Sequence, residues 1–496
     1  MSGLLSPIQR IYRYARTHWM LILVLVLAAF VWTLIFSFAA VEFVSGTRPF
    51  RAAWNGEADI MLFGYTFDVH FEGFADHDFY YVTWGEQFLS GYIPYTDLFD
   101  NLIIDTVEWY TPFFFPPLYV YLCALGVTLP FEPSGIAVLI CSFGYLTALP
   151  IYGIVTYLSD RRDIGAVSAA TYLFNPLILY HTVIQWLNPA PFVFFAMTSL
   201  YLLMRGHRYL GLLSMVTAAL FKQTAFFLAF PLIAFLIKRP PGWKAQNEES
   251  NGGDKKKRIL PSDRVDLSGF FRMIVVAGIY AGIVSFPYIL DLGNYAFNIF
   301  QRAGSTFLED FVTPPANNVP ITMAVPFIVL GAPEWFSQAL NAFSFYSLGV
   351  LIGILIFFTL MLFEVKDDSD LQGYWRRIMY FTLLLMLWIH IWSPRGVYKY
   401  YFVALVPFFS ILSVSSMCSK SKEKIEFSLF MVVVPFLFTI LILFPHRNIY
   451  LLGVVFILLA YVIQKSIAKV HHRLGSALGA AFTPFRTRIR QGKSLD

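Results

Sequence analysis

The sequence predicts an all-α polytopic membrane protein with about twelve transmembrane helices, and three observations carry that prediction. Of its 496 residues 57% are hydrophobic and 14% charged, with Phe alone occurring 52 times, far from a soluble average. Apolar runs of roughly 20 residues, enough to cross about 30 Å of hydrocarbon, recur along nearly the whole chain. Stretches such as Leu21–Phe38 do not alternate as the segments of a transmembrane barrel must.

Taken in order, residues 1–18 form a cytoplasmic N-terminus, because Arg10, Arg13 and Arg16 precede the first span and positive charge gathers on the inner side. That span, 19–44, is longer than a secretory h-region and lacks a small-residue cleavage site, so it reads as an uncleaved anchor. A first outer loop follows over 45–133. Within it Pro112, Pro116 and Pro117 remove backbone donors at the start of Phe113–Pro130, which reads as an interfacial helix on the outer face. Further spans are expected at 134–158, 163–181, 188–204, 209–221 and 224–237, completing a unit over 19–240. Residues 241–268, rich in Lys, Glu, Asn and Gly, read as a flexible cytoplasmic loop. A second membrane unit, 269–465, contains spans at 270–292, 342–363, 378–392, 398–416, 427–444 and 448–465, with an outer loop at 293–341. The basic tail 466–496 returns to the cytoplasm, so both termini lie inside.

Three features point beyond packing. The outer segment FADHDFYYVTWGEQFLSGYIPYTD sets Asp76 and Asp78 on either side of His77 and beside Tyr80, Tyr81 and Trp84. Carboxylates beside an aromatic surface are candidates for raised pKa values and for service as a base. Glu86, Asp97, Asp100 and Asp105 read as loop solvation. Lys222 interrupts the apolar run LFKQTAFFLAF, and an ammonium at that depth costs about 2.5–3.5 kcal/mol. In SPRGVYKYY, Arg395 and Lys399 place cations on an outer turn against the positive-inside bias. Cations on outer turns above an apolar bundle suit a phosphate on a lipid. Tyr80, Tyr81, Trp84, Tyr110, Gln223 and Tyr398 are candidates to line the substrate, since rings stack on sugar faces. Cys123, Cys141 and Cys418 have no metal-ligand or redox spacing.

The order of a first span, the acidic loop Asp76-His77-Asp78-Phe79, then Tyr110-Thr111-Pro112 and Phe115-Pro116-Pro117-Leu118-Tyr119 resembles the GT-C superfamily of integral membrane glycosyltransferases. The resemblance is strongest over about 60–240 and lies toward the mannosyltransferases. It implies a GT-C-like helical fold and inverting transfer of a hexose from a polyprenyl-phosphate or dolichyl-phosphate donor, at the extracytoplasmic or luminal face. The acceptor would be a lipid-linked glycan, a glycolipid or a protein. Asp78 or Asp76 would be the base, and Lys222, Arg395 and Lys399 would hold the phosphate. Alternatively Asp76 and Asp78 would hold Mg²⁺ or Mn²⁺, because hard cations favour carboxylate oxygens. Membrane lipid is the other expected partner, and no feature suggests nucleic acid. A transporter or lipid flippase is the competing class, although the unusual charges gather at one face.

Overall fold

Residues Trp19–Ser45 form a helix, α1, because 27 consecutive residues contain no proline and almost no polar side chain. At 1.5 Å per residue it is about 40 Å long, sufficient to cross a bilayer. One side stays exposed through Leu23, Val26, Phe30, Leu34 and Phe38, as a lipid-facing surface does, while Leu21, Ala28, Trp32, Ala39 and Phe43 are buried. Hydrogen bonds hold that buried side at three depths. His18 Nδ1 pairs with the Tyr152 hydroxyl at 2.7 Å, Tyr145 donates to the Leu25 carbonyl at 2.6 Å, and the Trp32 indole donates to the Leu173 carbonyl at 2.9 Å. This computed structural model describes residues 15–45, 56–62, 65–71, 76–104, 107–110, 112–131, 134–238, 265–302, 330–336, 348–363, 365, 368–391 and 399–415.

The segment that follows α1 carries two short antiparallel hairpins, β1 (Gly56–Leu62) with β2 (Tyr65–Phe71), and β3 (Asn101–Ile104) with β4 (Val107–Tyr110). Between them lie a π-helical turn, His77–Val82, and α2 (Thr83–Leu89). The proline-broken segment enters α3 (Pro117–Thr128), 12 residues and about 18 Å, too short to cross a bilayer alone. Gly85 lets α2 lie directly on α3, since a Cβ there would stand 2.7 Å from the Cys123 carbonyl oxygen.

The bundle continues as α4 (Gly135–Leu146), α5 (Ala148–Ser159), α6 (Arg162–Leu173), a π-helical turn at Leu179–Ile184, α7 (Pro189–Met204) and α8 (Arg208–Phe221). Then come a 3₁₀ segment at Gln223–Leu228, α9 (Ala229–Ile237) and α10 (Leu267–Ser285). After α10, Phe297–Arg302 forms a third π-helical turn, and α11 (Leu348–Leu362), α12 (Asp368–Ile391), a 3₁₀ segment at Lys399–Ala404 and α13 (Val406–Ser415) follow. The α7–α8 hairpin is among the most closely packed pairs, with Ser199 donating to the Gly211 carbonyl at 2.6 Å and Ser214 to the Phe195 carbonyl at 2.7 Å. The later helices are tied to the earlier ones. Ser168 donates to the Ser410 carbonyl at 3.0 Å, and Arg376 to the Leu158 carbonyl at 2.7 Å.

The protein is an integral, multi-pass membrane protein of the all-α class, its strands among the described residues confined to the two short hairpins between α1 and α3. Among the described residues three helices are long and apolar enough to span: Trp19–Val41, Gly135–Ser159 and Leu267–Ser285. Arg162–Leu173 with Pro176–Ile184 makes a fourth if a pair bent by 45° crosses as one. Asn175-Pro176 explains the bend, because proline removes a backbone donor and its predecessor avoids the helical region. The spans expected at 427–444 and 448–465 and the tail 466–496 lie outside the described residues, as does most of the loop 241–268.

Candidate functional site

Irregular backbone converges on Lys222. Its own φ of −152° and ψ of 126° are extended, so it separates α8 from the following 3₁₀ segment. Residues of the segments His77–Val82, Phe297–Arg302 and Lys399–Ala404 stand around it or its neighbour Gln223, as does Asn188, which follows the turn Leu179–Ile184. Non-α helical backbone inside a membrane protein persists where protein surrounds it or where it lines a cavity, and π turns recur at functional sites. Trp186, just before Asn188, adopts φ +54°, a strained value for a bulky residue.

The Lys222 side chain is 8% exposed. Its Nζ donates to Asn188 Oδ1 at 2.5 Å, and the Asn188 amide nitrogen donates to the Tyr81 hydroxyl at 3.1 Å. Among the described residues four rings stand around the ammonium, with centroids at 5.4 Å (Tyr401), 5.5 Å (Tyr400), 5.7 Å (Phe192) and 5.9 Å (Phe115). Ring faces attract a cation by about 0.5–2 kcal/mol each, which helps to offset its desolvation. The adjacent Gln223 donates through Nε2 to the carbonyls of Phe114 and Ile299, both at 3.3 Å.

Asp76 reaches this network electrostatically. Burial first, then the Asp76 carboxylate, push the Tyr81 phenol well above its usual range. Beside it His77 is fully buried against Phe43, Trp186 and Tyr81, and neither ring nitrogen has a hydrogen-bond partner among the described residues. Burial alone pushes its imidazole down to about 3, so it is neutral at physiological pH.

The structure therefore brings Asp76, Tyr81, Lys222 and Gln223 to one region. Tyr80 is half-buried and packs on Trp84 at 5.4 Å. Trp84 is 1% exposed and enclosed by Phe113, Phe114, Phe115 and Tyr119, so in this arrangement its face packs on protein rather than on a sugar. Asp78 lies in the π turn His77–Val82, Tyr110 in β4 and Lys399 at the start of its 3₁₀ segment. The side chains of these three are outside the description. Arg395 and Tyr398 are wholly outside the described residues. Among the described residues no group of three or more His, Cys, Asp or Glu is placed to hold a metal. Asp100 departs from its expected solvation: it is 0% exposed, and its Oδ1 accepts from the Phe113 backbone N–H at 2.9 Å.

Sequence reasoning missed Asn188, Phe192, Phe115 and the burial of His77. Phe115 stood in the motif Phe115-Pro116-Pro117-Leu118-Tyr119 without being read as a site residue, and Asn188 left a trace as the residue before Pro189-Ala190-Pro191 at a helix start.

Fold and site together define a multi-pass membrane protein with a caged lysine at a junction of broken helices. The family model described as GPI transamidase subunit PIG-U matches residues 106–301, and over that stretch the chain is similar to this family. No curated protein matches the chain. The matched stretch contains Phe115, Asn188, Phe192, Lys222, Gln223 and Ile299. The match corrects the expected enzyme class. A transamidase subunit is not a glycosyltransferase, so hexose transfer is withdrawn, and with it the reaction that Asp76 or Asp78 was to serve as base.

Proposed function

We propose that the chain is a non-catalytic membrane subunit of a GPI transamidase-type complex, and that it holds the phosphate-bearing head of a lipid-linked glycan at Lys222. The observation that carries this reading is the Lys222 ammonium itself. It is sheltered from water, oriented by the neutral Asn188 amide and ringed by aromatic faces, inside the stretch that matches the family. A phosphate oxygen meeting an ammonium in low dielectric gains a charge-assisted hydrogen bond, and rings beside it offer surfaces for a sugar or an acyl chain.

A polyprenyl-phosphate sugar and a glycosylphosphatidylinositol share the same plan, a phosphate between apolar chains and sugar. The family match favours the second. The GT-C resemblance then reflects a helical framework over 19–240 that keeps a lipid-phosphate site without the transfer chemistry. The loops 45–133 and 293–341 would face the protein partners of the complex on the extracytoplasmic or luminal side.

The test uses membranes in which a tagged chain replaces the host's own copy. Lys222→Met is expected to co-purify with the same partner subunits while retaining at least tenfold less glycosylphosphatidylinositol, and to lower attachment of the anchor to protein. Equal retention of the lipid by Lys222→Met would sink the role of Lys222. Absence of transamidase partners from the wild-type purification would sink the subunit reading itself.

A further inference from the structure

A cavity lined by none of the residues around Lys222 lies against the start of α1. A groove of about 340 Å³ runs between α1 and α6, lined by Met20 and Val24 on one side and by Ala166, Ala170 and Phe174 on the other. On the α6 side Arg162, Ala166, Ala170 and Phe174 follow at four-residue intervals, so they lie one above another along one face, with Val167 and Thr171 also lining the groove. Alanines keep the groove open, and Phe174 stands at its far end. The ridge from Arg162 to Phe174 is about 18 Å long, slightly more than half of a ~30 Å hydrocarbon layer. Trp19, 59% exposed, sits one residue before Met20, where an interfacial aromatic belongs.

The mouth is cationic. Arg16 and Arg162 are exposed, and neither has a hydrogen bond or ion pair among the described residues. Arg161, by contrast, is taken by Asp163 at 2.5 Å, which leaves exposed Asp160 as the nearest free acid in sequence. Arg162 stands close enough to the start of α1 that, after burial, its charge helps to hold His18 below its usual pKa. Two guanidinium groups without a hydrogen bond or ion pair among the described residues thus flank the end of an apolar groove whose α6 lining, Ala166 to Phe174, is about 12 Å long.

We infer that this groove is a binding site for one anionic phospholipid of the leaflet on the Arg16 side, its phosphate on Arg16 and Arg162 and one acyl chain between α1 and α6. By the positive-inside rule that leaflet is the cytoplasmic one, where anionic lipids concentrate. An arginine meets a phosphate through two parallel N–H bonds, so both residues are suited to the headgroup.

The test takes the purified full chain in mixed micelles of phosphatidylcholine and phosphatidylserine and counts retained lipids by native mass spectrometry. One retained phosphatidylserine per chain is expected. Arg16→Glu with Arg162→Glu should lower its retention at least tenfold, Ala170→Trp should do so by filling the groove, and Arg205→Glu, an exposed arginine off the groove, should leave it unchanged. Undiminished retention in both the charge and the groove variants overturns the proposal, as does equal retention of phosphatidylcholine. Displacement by inorganic phosphate alone would reduce the site to a surface anion site and overturn the acyl-chain seat. A photo-crosslinker at position 170 that captures protein rather than lipid would overturn it in favour of a partner helix.

Discussion

Lys222 and Lys238 bracket one continuous piece of chain, the 3₁₀ segment Gln223–Leu228 with α9, and both are sheltered lysines, yet they meet different surroundings. Lys238 Nζ donates to the carbonyls of Leu360 and Phe363 at 2.6 and 2.5 Å, at the C-terminal end of α11, beside the Tyr374 ring at 4.5 Å. Helix ends leave carbonyls without partners and carry partial negative charge, so this lysine finishes a helix. Among its contacts with described residues, Lys222 meets the Asn188 amide and four rings. The difference separates two settings for a sheltered cation: Lys238 completes backbone acceptors at a helix end, and Lys222 sits among rings and a side-chain amide, the setting on which the proposed ligand role rests.

The contrast predicts its largest effect at Lys238. Lys238→Met leaves two helix-end carbonyls without their donor, and about 3 kcal/mol should be lost, seen as a clear drop in the unfolding midpoint in detergent micelles. If Lys238→Met unfolds like the wild type, the structural half of the comparison fails.

The next effect is acid sensitivity at His77. Its folded pKa is depressed to about 3, so the unfolded chain binds a proton that the native state refuses. The stability of the neutral form is fully present above the unfolded value of about 6.5 and falls as the pH drops toward 3. About 2 kcal/mol should go between pH 6.5 and pH 5, and His77→Phe, which also removes two unpaired nitrogens, should abolish that part of the pH dependence. An unchanged acid slope in His77→Phe would show that the imidazole is not buried as described.

A smaller loss, about 1 kcal/mol, is expected for Asn188→Leu, which removes the link between Lys222 and Tyr81. Thermal unfolding of the variant measures it. Adding Tyr81→Phe should then cost less than it does in the wild type, because one partner of the hydroxyl is already gone.

The smallest stability effect belongs to Lys222→Met, within about 1 kcal/mol of the wild type in either direction, since an apolar side chain of similar length among aromatic rings recovers the desolvation cost. A large destabilisation there would make Lys222 a second Lys238 and remove the basis for a ligand site.

Much of the architecture was legible residue by residue. Proline at 112, 116 and 117 announced a helix too short to cross, and Lys222 announced the break between α8 and α9. The acidic pair was less legible, because Asp76 is linked to the Lys222 region through its charge on Tyr81, beside the buried His77. Asp100 misled for the same reason: an aspartate in a polar loop looks solvated until the chain folds back and offers it the Phe113 N–H.

By itself the sequence determined an integral, multi-pass, all-helical protein, because spanning a bilayer is a local demand on length and apolarity that each segment meets alone. Only the tertiary structure decided what surrounds Lys222. Phe115, Asn188, Phe192, Tyr400 and Tyr401 come from distant parts of the chain, and no local pattern records which side chains packing will bring within 6 Å of one ammonium.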